Sequence, residues 1–471
     1  MTIPDIIAAP QTTSVPQTTS VPTDTWWCEY AWLGGDTVAR GVSISVAQGR
    51  IIGVAADTAP DSSVRKLRGL VVPGLANAHS HAFHRALRSH TQRDRGSFWT
   101  WRDLMYRAAQ RLNPDSYRQL AAAVYGEMVL AGITSVGEFH YLHHDVGGKA
   151  YADPNEMGHA LIAAAADAGL RLTLLDTCYL SAGVDGTPLA PGPQQRFGDG
   201  SGAGWAQRVE ALHTEMSCRA DQVIIGAALH SVRGVPLRDM PAVVDWAAAH
   251  HAPLHVHSSE QTAEIDSCLA VHGATPTALL RDAGVLGPRT TAVHATHLTA
   301  QDLDDIDRSA TGVCFCPTTE RDLGDGIGPA PQLLAGRGLF SLGSDSHAVI
   351  DLFEEARGTE LDERLARRER GVITADRLLR AATYDGQLAL GWADAGTLTV
   401  GARADLVAVD LESVRTAGGG ASAENVVFAA TATDVTDVVV DGRAVVTQRR
   451  RADGVDVAHQ LATTISQLMA T

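Results

Sequence analysis

Between residues 75 and 391 the chain repeats one pattern: a short, nearly unbroken apolar run, then a segment whose apolar residues recur with a helical period. The runs are Leu75–Asn77, Thr134–Phe139, Arg171–Leu175, Val223–His230, Pro253–His257, Thr291–His294, Gly312–Phe315 and Leu339–Ser344. Amphipathic segments such as Glu156–Ala168, Gly204–Met216, Met240–Ala249, Thr275–Ala283 and Pro331–Gly336 lie between them. Strands alternating with helices predict a parallel sheet, and eight such units predict an α/β fold of the (β/α)8 TIM-type barrel. A doubly wound sheet is the rival, but no G-x-G-x-x-G follows the first run. The two ends of the chain read differently. Gly41–Ala47, Arg50–Ala55, Thr397–Val400, Ala404–Asp410, Val426–Ala430, Val435–Val440 and Arg443–Thr447 are short β-like runs with glycine-rich turns. They predict a small β-sandwich built from both termini, residues 26–73 and 392–471, beside a barrel over 74–391. Residues 1–25 read as a loose tail: the hexapeptide QTTSVP occurs at 11–16 and again at 17–22, with too little apolar surface to order itself. The Gly/Pro-rich stretch 183–204 follows the third run and predicts a long loop at the barrel mouth.

Composition narrows the partners. Among 471 residues, 38 basic against 54 acidic side chains leave a net charge of −16. That argues against nucleic acid and anionic membrane, which both need a basic face. No apolar stretch is long enough to span a bilayer as a helix, and the N-terminus lacks a secretory pattern. Six scattered cysteines form no disulfide framework, so a cytoplasmic location is expected. Within the apolar run around Cys314-Phe315-Cys316, two buried thiols are expected and no function is assigned. The charged stretch with Arg364, Arg367, Arg368 and Arg370 among Glu360, Asp362, Glu363 and Glu369 reads as a solvated helix face or a subunit contact, and a homodimer is expected.

The chemistry-bearing residues cluster at the ends of the runs. His79 and His81 flank Ser80, and alternation along a strand puts both imidazoles on one side. The fifth run ends at His257 with Glu260 three residues on, the sixth at His294, and the eighth just before Asp345. A barrel brings all these termini to one mouth, where three imidazoles and a carboxylate make a shell suited to zinc or ferrous iron. His255, one layer deeper on the same strand face, reads as a core or supporting residue.

The segments PGLANAHSHAFHR, HVHSSEQ, VHATH and LGSDSH together resemble the amidohydrolase superfamily, as does the closing GTLTVGARADLVAVD. The resemblance implies that His79, His81, His257 and Asp345 hold one divalent metal per chain, zinc with iron as the alternative. It also implies that Glu260 and His294 move protons. Binuclear members bridge two metals with a lysine after the fourth strand; the only lysines here are Lys66 and Lys149, so a mononuclear site is expected. Mononuclear members of this kind are mostly deaminases of a C=N carbon. In such chemistry a metal activates water, Asp345 and His294 accept its proton, and Glu260 protonates the nitrogen.

Four further segments, SFWTWRDLMYR, GEFHYLHHD, LHSVRGV and CPTTERDLGDGI, resemble the formiminoglutamate deiminase branch of that superfamily. That branch implies hydrolysis of a small acidic amidine, with His84, Arg102, Tyr141, His230 and Arg233 holding its glutamate moiety. Arginine suits carboxylates because its planar fork matches them. Two departures stand out. Glutamine is usual in that branch where this chain has His84, and a small residue and asparagine are usual where it has Arg321-Asp322. The competing readings are a deaminase of an aromatic heterocycle such as guanine or a pterin, which needs apolar stacking walls, and a catalytically inactive scaffold, which would tend to lose metal ligands.

Overall fold

The computed structural model describes residues 24–35, 37–62, 64–92 and 98–470, so nearly all of the expected N-terminal tail lies outside the described residues. Four strands come first: β1 (Asp24–Trp32), β2 (Val38–Ala47), β3 (Arg50–Ala55) and β4 (Arg65–Pro73). Eight parallel strands follow: β5 (Leu75–Ser80), β6 (Ile133–His140), β7 (Arg171–Cys178), β8 (Val223–Leu229), β9 (Leu254–Ser258), β10 (Thr290–His294), β11 (Gly312–Phe315) and β12 (Phe340–Leu342). The chain then returns through β13 (Leu406–Val409), β14 (Val435–Val440), β15 (Arg443–Thr447) and β16 (Arg450–Arg451).

Strands β5 to β12 lie side by side in chain order, with helices such as Glu156–Ala168, Met240–Ala249 and Ala300–Ser309 between them. This is the expected (β/α)8 barrel. Strands β5, β6 and β7 are buried along their whole length, which is why they read as continuous apolar runs rather than alternating ones. Closure occurs at the mouth. Ser80 of β5 bridges Asp345 beyond β12, the Asp345 N–H donates to the His79 carbonyl at 3.0 Å, and the His81 N–H donates to the Asp345 carbonyl at 3.2 Å. Asn77 adds a buried two-way link: its Nδ2 donates to Ser344 Oγ at 2.7 Å and its Oδ1 accepts from the Ser344 N–H at 2.9 Å.

The remaining eight strands form one continuous sheet drawn from both ends of the chain, ordered β16-β15-β14-β13-β4-β1-β2-β3. The two ends join where β4 pairs antiparallel with β13. Trp26, Cys28, Ile44 and Leu67 from one end pack with Leu406, Ala408 and Val439 from the other in a core of their own. Arg171, at the start of β7, donates to Asp405 and to Ser135 Oγ, tying the barrel floor to this sheet.

Several local expectations change. Asp24 and Thr25 belong to β1 rather than to the tail. A register shift between Cys28 and Tyr30 breaks the alternation of β1, which hides it in the sequence. Thr397–Val400 is a turn region and not a strand. Val426–Ala430 is not a strand either: Ala423–Phe428 is a helix, capped by Ser422 accepting from the Asn425 N–H. Short apolar runs fit either state, and here the cap decides. The charged helix is not solvated throughout. Glu360 is fully buried and accepts the backbone N–H groups of Gly371, Val372 and Ile373 as well as Arg364.

Candidate active site

The C-terminal ends of β5, β9 and β10, with the turn after β12, aim their side chains into one mouth. Non-glycine residues there take left-handed backbone conformations: Ser259 (φ 54°), His294 (φ 69°) and Asp345 (φ 43°). Such conformations cost about 1–3 kcal/mol each and persist where surrounding bonds over-determine them. At Asp345 those bonds are the barrel-closing pair with His79 and His81.

His79, His81, His257 and Asp345 converge. His257 Nε2 lies 3.1 Å from His79 Nε2, and Asp345 Oδ1 lies 3.4 Å from both His79 Nε2 and His81 Nε2. The imidazole protons are already committed. His81 Nδ1 donates to the Phe139 carbonyl at 3.0 Å and His257 Nδ1 to the His230 carbonyl at 2.8 Å. Both rings therefore present bare Nε2 lone pairs to the same point, an arrangement that is repulsive without a cation between them. Ligand bonds of ~2.0–2.2 Å in a tetrahedron give ligand–ligand distances near ~3.4 Å, so these residues fit a divalent metal. The hydrogen bond from His79 and the neighbouring imidazoles hold the Asp345 carboxyl far below its ordinary range, against the effect of its burial.

His294 occupies the other side. Its Nε2 is 3.8 Å from Glu260 Oε1 and 3.8 Å from Asp345 Oδ2, and its Nδ1 is 3.2 Å from Glu320 Oε1. Burial works against an imidazolium here, but Glu260, Glu320 and Asp345 together push the His294 pKa well above its ordinary value. Burial raises the Glu260 carboxyl, and the positive His294 partly offsets that. Glu260 and His294 thus face each other across 3.8 Å as two groups able to hold or release a proton at the mouth.

Ten of the eleven sequence-predicted site residues line one cavity; His79 sits behind them. His84 and Tyr141 meet at 2.8 Å through Nε2 and the hydroxyl. Burial pushes the His84 imidazole down to about 3, so at the glutamine position it offers a neutral ring. The Arg102 guanidinium stacks 5.5 Å from the Tyr106 ring centre and reaches the cavity wall. The His230 ring lies 3.9 Å from that of Tyr179, while its backbone carbonyl orients His257. Arg233 is half-buried in the wall with the Glu264 carboxylate beside it. His255 Nε2 donates to the Ala389 carbonyl at 3.0 Å, and the residue is buried one layer below His257, in the supporting place expected of it. Cys314 and Cys316 are both buried. Arg321 pairs with Glu354 and Asp362 outside the cavity, and Asp322 accepts from Gln92.

Two residues escaped the sequence reading. Glu320 anchors His294 and accepts the Cys316 N–H at 2.8 Å; it lies in the quoted CPTTE segment, but nothing local says which way it faces. Glu264 lies one helical turn beyond Glu260 in the helix Thr262–His272, and that spacing was the available signal.

Comparison with known proteins agrees with this architecture. The sequence profile of the amidohydrolase family matches residues 70–445. The chain is 38% identical to a formimidoylglutamate deiminase of Pseudomonas aeruginosa, over 85% of this chain and 90% of that one. It is 27% identical to a 5-methylthioadenosine/S-adenosylhomocysteine deaminase of Pelotomaculum thermopropionicum, over 88% and 91%. The crystal structure of an amidohydrolase from Brucella melitensis superposes with a TM-score of 0.87 at 31% identity, covering 95% of this chain and all of that one (100%).

Proposed function

The chain belongs to the amidohydrolase family, and on that footing we propose that it hydrolyses N-formimino-L-glutamate to N-formyl-L-glutamate and ammonia, as in histidine degradation, with one divalent metal ion, zinc before iron. The observation that carries the reading is the wall of the cavity: Arg102 and Arg233 stand in the same chamber as Glu260, His294 and Asp345. The substrate has two carboxylates and a basic formimino group. Two fixed cations suit its acidic end, and the carboxylates suit its amidine. The roll of metal ligands, His79, His81, His257 and Asp345, belongs to this proposal, as do the roles below.

When bound, the ion supplies Lewis acidity that brings the pKa of water toward ~7. Asp345 Oδ2 stands where it can take a proton from attacking water, and His294 Nε2, 3.8 Å from both Asp345 Oδ2 and Glu260 Oε1, can take it in turn once it has given up its own. Glu320 holds the His294 Nδ1 proton, which leaves Nε2 as the working atom. Glu260, whose carboxyl is pushed up by burial, delivers a proton to the terminal formimino nitrogen. Water adds to the formimino carbon, the bond to that nitrogen breaks, and ammonia leaves with the protons passed through Glu260 and His294. His84, Tyr141 and His230 complete the binding wall around the glutamate carboxylates, with the neutral His84 acting as donor.

A second reading, deamination of an aromatic heterocycle, draws on Trp101, Tyr106, Tyr141 and Tyr179 in the same wall. Ammonia release separates the two: N-formimino-L-glutamate should be turned over and a panel of purines and adenosine-type nucleosides should not. The opposite pattern refutes the proposal, and no turnover of either, with metal bound, returns the inactive-scaffold reading. The proposal places catalysis in residues 74–391 and a supporting unit in 26–73 with 392–471. Among the described residues no helix is long and apolar enough to cross a membrane. A cytoplasmic homodimer completes the proposal, and light scattering on the eluting protein tests the dimer.

A further inference from the structure

We infer that Glu210, His213 and His250 form a second, peripheral site for a divalent transition-metal ion of the zinc–nickel class, at the end of the barrel opposite the catalytic mouth. Glu210 and His213 lie three residues apart on the helix Gly202–Met216, so they share one face. His250 ends the neighbouring helix Met240–Ala249. One donor atom from each lies within 4.8 Å of the others, and the two imidazole centres are 4.2 Å apart. Glu210 Oε2 is 2.7 Å from His250 Nε2.

Surface histidines are usually mobile, and mobility weakens a metal site. Here Trp246 restrains all three groups. Its Nε1 donates to Glu210 Oε2 at 2.8 Å, and its ring lies 5.6 Å from that of His213 and 4.7 Å from that of His250. Outer partners of this kind orient ligands and sharpen affinity. Access is open, with the Glu210 side chain about half exposed at 49% and that of His250 at 23%. His213 and His250 also border a cavity of about 240 Å3 that reaches Val223 and Pro253, at the starts of β8 and β9, with room for water to complete the coordination. Two imidazoles and one carboxylate with an open position match zinc, and nickel and copper compete for the same donors. The buried cluster of His140, His143 and Asp176 is different: Arg208 donates to both oxygens of Asp176 and occupies the place a cation would need.

The test uses untagged holoenzyme and zinc chloride alone. Calorimetric titration, with total zinc counted by mass spectrometry, should show one further equivalent beyond the resident ion, and Tm should rise with zinc because the ion ties two helices of the native state. His213→Ala and His250→Ala should each weaken that binding at least tenfold while kcat stays at the parental value. Absence of the further equivalent overturns the inference, as does parental affinity in both variants. If the alanine variants fold poorly, Glu210→Gln keeps the shape and removes the charge, and unchanged affinity there also overturns it. None of these outcomes depends on which substrate the enzyme takes.

Discussion

Arg233→Met is the sharpest probe of an acidic substrate. Arg233 follows β8, its carbonyl is fixed by the Ser181 hydroxyl at 2.8 Å, and its side chain borders both the catalytic cavity and a neighbouring cavity of 450 Å3. Methionine keeps an apolar stem there and removes only the fork. Glu264 loses its nearby cation, but burial already pushes its carboxyl up, so it can go neutral and the fold loses little. The loss should therefore fall on the substrate. Removing one partner of a charge pair in a partly desolvated site costs about 2–5 kcal/mol. At ~1.4 kcal/mol per decade, kcat/KM for N-formimino-L-glutamate should drop about 30- to 4000-fold. The assay is ammonia release under steady state, with metal content measured alongside and formamidine as a comparator that lacks carboxylates. Metal content should not change, and the preference for the acidic substrate over formamidine should narrow, since remote binding energy also positions the reacting carbon. Parental kcat/KM in Arg233→Met would show that the carboxylate is held elsewhere, and the main physical reason for preferring an acidic amidine over a neutral heterocycle would go with it.

Glu260→Gln should retain its metal and lose about 10²–10⁴-fold in turnover, because glutamine keeps the shape but carries no exchangeable acid proton; near-normal turnover would make Glu260 structural. Glu320→Gln, which removes the negative partner of the His294 Nδ1 proton, should lower kcat about 10- to 150-fold with KM and metal content kept, the size of a ~1.5–3 kcal/mol charge-assisted hydrogen bond. A rise in KM without a fall in kcat would instead place Glu320 against substrate. Asn77→Ala breaks both bonds to Ser344 across the barrel seam and leaves a buried N–H unpaired, so urea unfolding should show a loss of about 2–4 kcal/mol; an unchanged midpoint would mean the seam is held without it. Stripping the tightly bound ion with a chelator should abolish turnover and one equivalent of zinc should restore it, whereas a requirement for two would overturn the mononuclear site.

The alternation of apolar runs and amphipathic segments was enough to place the barrel strands, because their burial on both faces writes a local pattern into consecutive residues. The strand ends carried His79, His81, His257, His294 and Asp345, since the barrel topology sends every such end to one mouth. Where a local pattern was ambiguous or interrupted, the sequence fell short: the register shift inside β1, and the capped helix Ala423–Phe428 that reads equally well as a strand. The same limit governs the site. Glu320 carries no periodic signal and Glu264 only its four-residue spacing from Glu260, for what matters about them is which partner they face, His294 in one case and Arg233 in the other. That the His230 carbonyl rather than its ring orients His257, and that Asn77 seals the barrel through Ser344, also depends on residues far apart in the chain. Residue type and spacing determine which chemistry is available; the distances that make it work belong to non-local packing, and only the folded chain decides them.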